Sequence, residues 1–302
     1  MISYVLAFSA AIVNAVSDVL NRKASREAPR HLAFRFRLFA HLLHRRAWLA
    51  AVFLMLMSFV LAASALGTGQ LAAVQLIVIL ELPITLVGSA LYLGGHLANR
   101  DWVAIVAMTA GVIGLLVLLD PEPGKGEPAS AVIWLAGGAA NVAVIVALYI
   151  AAKARRQSAV RAALLGIASG CGYGLTAAFT KGMASQFTAH GVGGVLTSWQ
   201  IYACGVAGLA STWLLQNAYH SGTLAAAQPG ITLVDPVVAT LWGAAAFGEH
   251  VRHGWLLVLA ALPLMLLIAG VLTLSRSPTW QRNEERPRVK AEPARGSRAS
   301  LR

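Results

Sequence analysis

The chain is poor in charge. Only 12% of its 302 residues are Asp, Glu, Lys or Arg, about half the share of a soluble domain, which excludes a well-solvated globular surface. It has two cysteines, Cys171 and Cys204. Both lie inside apolar runs, so they form no disulfide framework and read as small packing residues. No run alternates apolar and polar residues as a strand would, which argues against a β-barrel. The signatures G-x-x-x-x-G-K-[ST], H-E-x-x-H, C-x-x-C and G-x-S-x-G are all missing. Pro123-Gly124-Lys125-Gly126 is a turn, not a phosphate loop. ATP hydrolysis by the chain itself, zinc proteolysis and serine hydrolysis therefore have no seat. No enzymatic activity and no cofactor are expected.

What the chain has is hydrocarbon. It is 58% hydrophobic, with a mean hydropathy of +0.68. The apolar residues come in runs of about twenty, the length a helix needs to cross a bilayer. Nine such runs are read, at about 2–20, 47–66, 71–93, 102–119, 131–152, 162–183, 194–217, 224–247 and 254–274. The first has no basic leader, and its charges follow it, so it is expected to be a retained span rather than a cleaved signal peptide. The fold class expected is an all-α polytopic membrane protein.

The net charge of +12 is too uneven for a nucleic-acid partner. Of 24 Lys and Arg, 21 fall in one alternating set of segments: between runs 1 and 2, around Arg100, around the 5–6 connection and in the tail. The other set holds only Lys125, Lys181 and Arg252. Basic segments stay cytoplasmic. This places the N-terminus outside and the C-terminus inside a cell membrane, as an odd number of spans requires.

Two stretches match without a gap. At a constant offset, Leu71, Ala72, Ala73, Gln75, Pro83, Gly95 and Trp102 fall on Leu224, Ala225, Ala226, Gln228, Pro236, Gly248 and Trp255. Upstream, Ala65 and Gly69 fall on Ala218 and Gly222. Equivalent spans are five apart and so cross in opposite directions. The expected organisation is a first repeat over 1–120, with a basic cytoplasmic loop at 21–46. A connector with span 5 follows over 121–160, then a second repeat over 161–275 and a disordered basic tail over 276–302. Inverted repeats place a substrate site near the midplane between the halves.

Leu224 to Phe247-Gly248-Glu249, followed by the run 254–274, resembles the drug/metabolite transporter superfamily. The first half repeats the pattern more loosely, with Gly94-Gly95-His96 in place of Gly-Glu. The likeness covers roughly residues 2–274. Nine spans, an outside N-terminus and the ending Asn21-Arg22-Lys23-Ala24 are similar to the NIPA-type magnesium-transporter branch. The superfamily's usual layout has ten spans. The resemblance implies secondary transport of a small solute, with a divalent cation as the alternative cargo. A membrane scaffold that transports nothing is the alternative from another class.

Acids inside spans are costly, so they mark candidate sites. Glu81 and Asp235 lie near the middle of spans 3 and 8, one residue apart in the repeat register, each beside a proline. Proline leaves the carbonyl four residues back without its helical donor, here Ile79 or Thr232. A carboxylate near such a carbonyl and near Gln75 or Gln228 could bind a cation or hold a proton. Glu81 and Asp235 would be the metal ligands if the cargo is a cation. Asp18, one turn from Arg22, suits an interfacial ion pair as well as a site. Asn14, Gln75 and Gln228 suit interhelical hydrogen bonding or substrate contact. Tyr173 suits a cavity wall or packing. Lys181 is expected to snorkel to the interface, and Glu249 to cap a span end. Gly166, Gly170 and Gly174 make a small-residue stripe for close helix packing.

Between spans 1 and 2, Leu32, Phe36, Phe39 and Leu43 recur at helical spacing amid Arg30, Arg37, His41 and His44. This reads as a basic amphipathic helix on anionic lipid, and the tail as a disordered segment held there by charge. The expected partners are thus a small solute or cation and membrane lipid, with a homodimer left open.

Overall fold

The computed structural model describes residues 1–27, 46–93, 97–124, 130–222, 224–250 and 256–277. The amphipathic stretch 31–45, the Gly94-Gly95-His96 triplet, Lys125, Arg252, Trp255 and the tail from 278 lie outside the described residues.

Within them the chain is helical, with eleven helices: α1 Ile2–Glu27, α2 Arg46–Thr68, α3 Leu71–Val78, α4 Glu81–Leu93, α5 Asn99–Leu119, α6 Ala131–Ala154, α7 Ser158–Thr197, α8 Trp199–Ser221, α9 Leu224–Phe247, α10 Leu256–Leu259 and α11 Ala261–Ser275. Among the described residues, seven segments are long and apolar enough to span a membrane: Ile2–Leu20, Leu49–Thr68, Leu71–Tyr92, Asn99–Leu119, Ala131–Ala154, Ser158–Thr197 and Ala225–Phe247. Large apolar side chains such as Phe53, Val103, Val132, Leu209 and Leu264 face outward, as they must in lipid. This is an all-α polytopic membrane protein.

Two of the nine expected runs fall short of that standard for different reasons. α8 is long enough, but Gln200, Ser211, Thr212, Gln216, Asn217 and His220 dilute it. The last run is interrupted at Ala260, ahead of Pro263 in α11, and leaves a helix of only 15 residues. Helix also replaces the connection expected at 184–193. α7 runs on to Thr197, bending where Gly191 takes φ 65° and ψ −156°.

Span 3 is two helices. Its chain tightens at Ile79 and Leu80, where Leu80 N donates to Ile77 O at 3.0 Å and Leu82 N to Ile79 O at 3.2 Å. Pro83 then falls in the first turn of α4, where a missing N–H costs nothing. The carbonyl vacancy expected at Ile79 is therefore filled, by Leu82.

α7 is the central post, packing on α8, α9, α6 and α2; α1 packs on α2, α3 and α4; α5 packs on α11. The glycine stripe explains the α7–α9 contact. A Cβ on Gly166 would sit 2.3 Å from Ala227 O, and one on Gly174 2.8 Å from Asp235 O. Only glycine lets the backbone carrying Asp235 come this close.

Candidate functional site

Glu249 organises one end of the bundle. α9 ends at Phe247, and Gly248 takes the left-handed φ of 61°. Glu249 N then reaches back to Gly243 O at 3.0 Å. That return closes the helix end, and it needs a residue without Cβ strain at its left-handed position. The reversal aims the Glu249 carboxylate at the start of α3. Its two oxygens accept the Leu71 N–H at 2.8 and 3.0 Å. The first N–H groups of a helix lack internal partners and carry partial positive charge, so a carboxylate there is favoured.

Lys181 on α7 completes the arrangement. Its ammonium pairs with Glu249, donates to Gly69 O at 2.7 Å and sits 5.1 Å from the centre of the Phe247 ring. The side chains of Lys181 and Glu249 are 13% and 5% exposed. Lys181 therefore does not snorkel, because a carboxylate and a carbonyl inside the bundle meet its charge. The start of α3, the middle of α7 and the end of α9 are tied at one knot.

Beside this knot is a cavity of about 830 Å³, within the usual size of small-molecule sites. Trp134, Phe179, Trp199 and Phe247 line it, as do Gln70, Gln186 and Gln200. Trp134 is the hub of the aromatic wall. It stacks on Trp242 at 5.1 Å and on Phe179 at 5.6 Å, and meets Trp199 and Phe247 edge-on at 5.3 and 5.9 Å. An antiparallel bridge between Glu122 and His250 joins the segment before α6 to the end of the Glu249 turn.

Under the cavity lies an apolar layer that includes Leu71, Val74, Leu175, Ala178, Ala239 and Trp242. Below it, Gln75 Nε2 on α3 donates to Asp235 Oδ1 on α9 at 3.2 Å. Asp235 is eight residues before Gly243, roughly 12 Å of helical rise.

The other candidate residues are dispersed. Glu81 is half-buried and opens α4, which packs on α1. Asn14 and Asp18 are half-buried on α1. Gln228, the repeat partner of Gln75, instead accepts from Tyr219 Oη at 3.2 Å, and its own amide reaches Thr232 Oγ1 at 3.5 Å. Tyr173 shares a hydrogen bond with Thr212 of α8 at 3.1 Å. Cys171 and Cys204 are buried free thiols. Among the described residues no group of three His, Cys, Asp or Glu side chains converges as a metal site. Sequence reasoning missed the Trp134 hub and the three glutamines, whose members come from distant segments and share no local pattern.

No family model matches the chain, and no solved structure matches it. It is 25% identical over 289 residues to an uncharacterized protein of Corynebacterium glutamicum, a match covering 95% of this chain and 99% of that one. The likeness carries no function with it.

Proposed function

We propose that this protein is a secondary transporter of the drug/metabolite type, moving a small solute across the cell membrane by alternating access. The observation that carries this reading is the vertical order of the site. A cavity lined by residues from one end of the bundle is followed along the helices by an apolar cluster and then by a carboxylate hydrogen-bonded between two parts of the chain. A scaffold needs neither the cavity nor an acid at this depth.

Helix contacts support the inverted repeat. α1 packs on α2 and on α3 with α4, as α7 packs on α8 and on α9. Across the halves, α3 meets α9 and α5 meets α11. With nine spans and basic segments inside, the vestibule opens outward. Asp235 couples the solute to a proton or cation, and Gln75 orients its carboxylate.

The test is counterflow in proteoliposomes holding the purified full chain, with Gln75→Leu/Asp235→Asn as the comparison. The proposal expects saturable exchange by the parent protein and at most a few per cent of it in the variant. Equal exchange by both would reject the coupling role. No exchange of any solute by the parent would reject transport.

A further inference from the structure

We propose that the vestibule binds an uncharged heteroaromatic ring with both hydrogen-bond donors and acceptors on its edge, the chemistry of a nucleobase. This deepens the transport reading and rests on it for its physiological meaning, but the binding itself is measured without flux.

The wall selects for flat aromatic surface. Trp199 lines the cavity while 48% exposed. Trp134 holds it edge-on, and Phe179 meets its ring at 5.5 Å and 78°. A large ring held by two neighbours and still exposed offers surface for stacking, and stacking serves any base because every base has a π-face.

Charge at the wall is already spent. The Glu249 carboxylate is met by Lys181 and by the Leu71 N–H, and the Lys181 ammonium by Glu249 and Gly69 O. An ionic ligand would have to break one of these contacts or enter unpaired, and burying an unpaired charge is expensive.

What remains unspent is amide. Gln70, Gln186 and Gln200 line the same cavity, and their side-chain amides carry no hydrogen bond within the described residues. Gln200 is 9% exposed and lines the cavity, where a ligand can replace water on its donor and acceptor. A carboxamide offers a donor and an acceptor side by side, the pattern that pairs in bidentate fashion with the edge of a base. A sugar could meet the amides and pack its C–H face on a ring, but it has no flat π-face and no planar donor–acceptor edge. A plain aromatic hydrocarbon would satisfy the rings but not the amides.

Calorimetric titration of the detergent-purified full chain tests this. Adenine and uracil are the probes. Benzoate, tetraphenylphosphonium and glucose stand for the aromatic anion, the aromatic cation and the uncharged non-aromatic. The expected result is one saturable site for the bases, at least about tenfold tighter than for any comparator. Trp199→Ala and Gln200→Leu should each weaken adenine by about tenfold. Trp199→Phe, which keeps a ring, should weaken it less and stands in if the alanine variant does not fold. No binding by either base, equal binding by a comparator, or indifference of the Gln200→Leu and Trp199 variants would overturn the proposal. If a different solute is exchanged while no base binds, this inference fails alone. If bases bind but the parent protein exchanges nothing, the transport reading fails and the site stands.

Discussion

Both carboxylate oxygens of Glu249 lie within 3.0 Å of the Leu71 backbone nitrogen, although 178 positions separate the two residues. A side chain from the second half thus caps a helix of the first. Capping contributes about 1 kcal/mol. A buried ion pair that loses one partner costs more, about 3–5 kcal/mol, because the survivor is left uncompensated.

The Lys181→Met variant should therefore lose roughly 3 kcal/mol of stability. Adding Glu249→Gln should restore part of it, since the stranded carboxylate goes. Unfolding of the parent, both single variants and the double variant in detergent measures the coupling. A double variant as unstable as the sum of the singles would contradict the pairing.

The turn that delivers Glu249 depends on Gly248. A side chain at its φ of 61° costs about 1–2 kcal/mol. Gly248→Ala should be destabilised by that amount, and Gly248→Asn by less, because asparagine tolerates the left-handed region. Thermal midpoints of the two variants decide, and equal values would count against this geometry.

Close packing of α7 on α9 makes a third prediction. The Cβ of Gly166→Ala would meet Ala227 O at 2.3 Å, whereas nothing lies within 4 Å of one at Gly138. Gly166→Ala should lose about 1–3 kcal/mol, and Gly138→Ala should stay within about 0.5 kcal/mol of the parent. Chemical denaturation of both proteins checks the contrast.

Much of this was legible in the sequence, for identifiable reasons. Spans follow from twenty-residue apolar runs, a signal that lipid enforces on every residue at once. The Gly166, Gly170 and Gly174 stripe was readable because helical spacing puts those positions on one face. Its partner helix was not, since spacing does not say what a face touches. Gln75 and Asp235 were both singled out, yet their hydrogen bond depends on how α3 and α9 cross. The pairing of Lys181 is hidden for the same reason. Local sequence shows a lysine near a span end, which ordinarily snorkels, and gives no sign of Glu249 folded back toward it. The break at Ile79 and Leu80 was half visible in Pro83, whose effect was to divide the helix rather than to leave a carbonyl open.

Alternating access is the central claim, and the thiol reactivity of a Gln75→Cys variant tests it most directly. The background would carry Cys171→Ala and Cys204→Ala, and a membrane-impermeant maleimide would be applied to one side of sealed vesicles at a time. Position 75 lies beneath the apolar floor of the vestibule, against Asp235. The account predicts slow labelling from both sides, with saturating transported solute shifting the ratio of the two rates. Labelling from one side only, unchanged by solute, would contradict it.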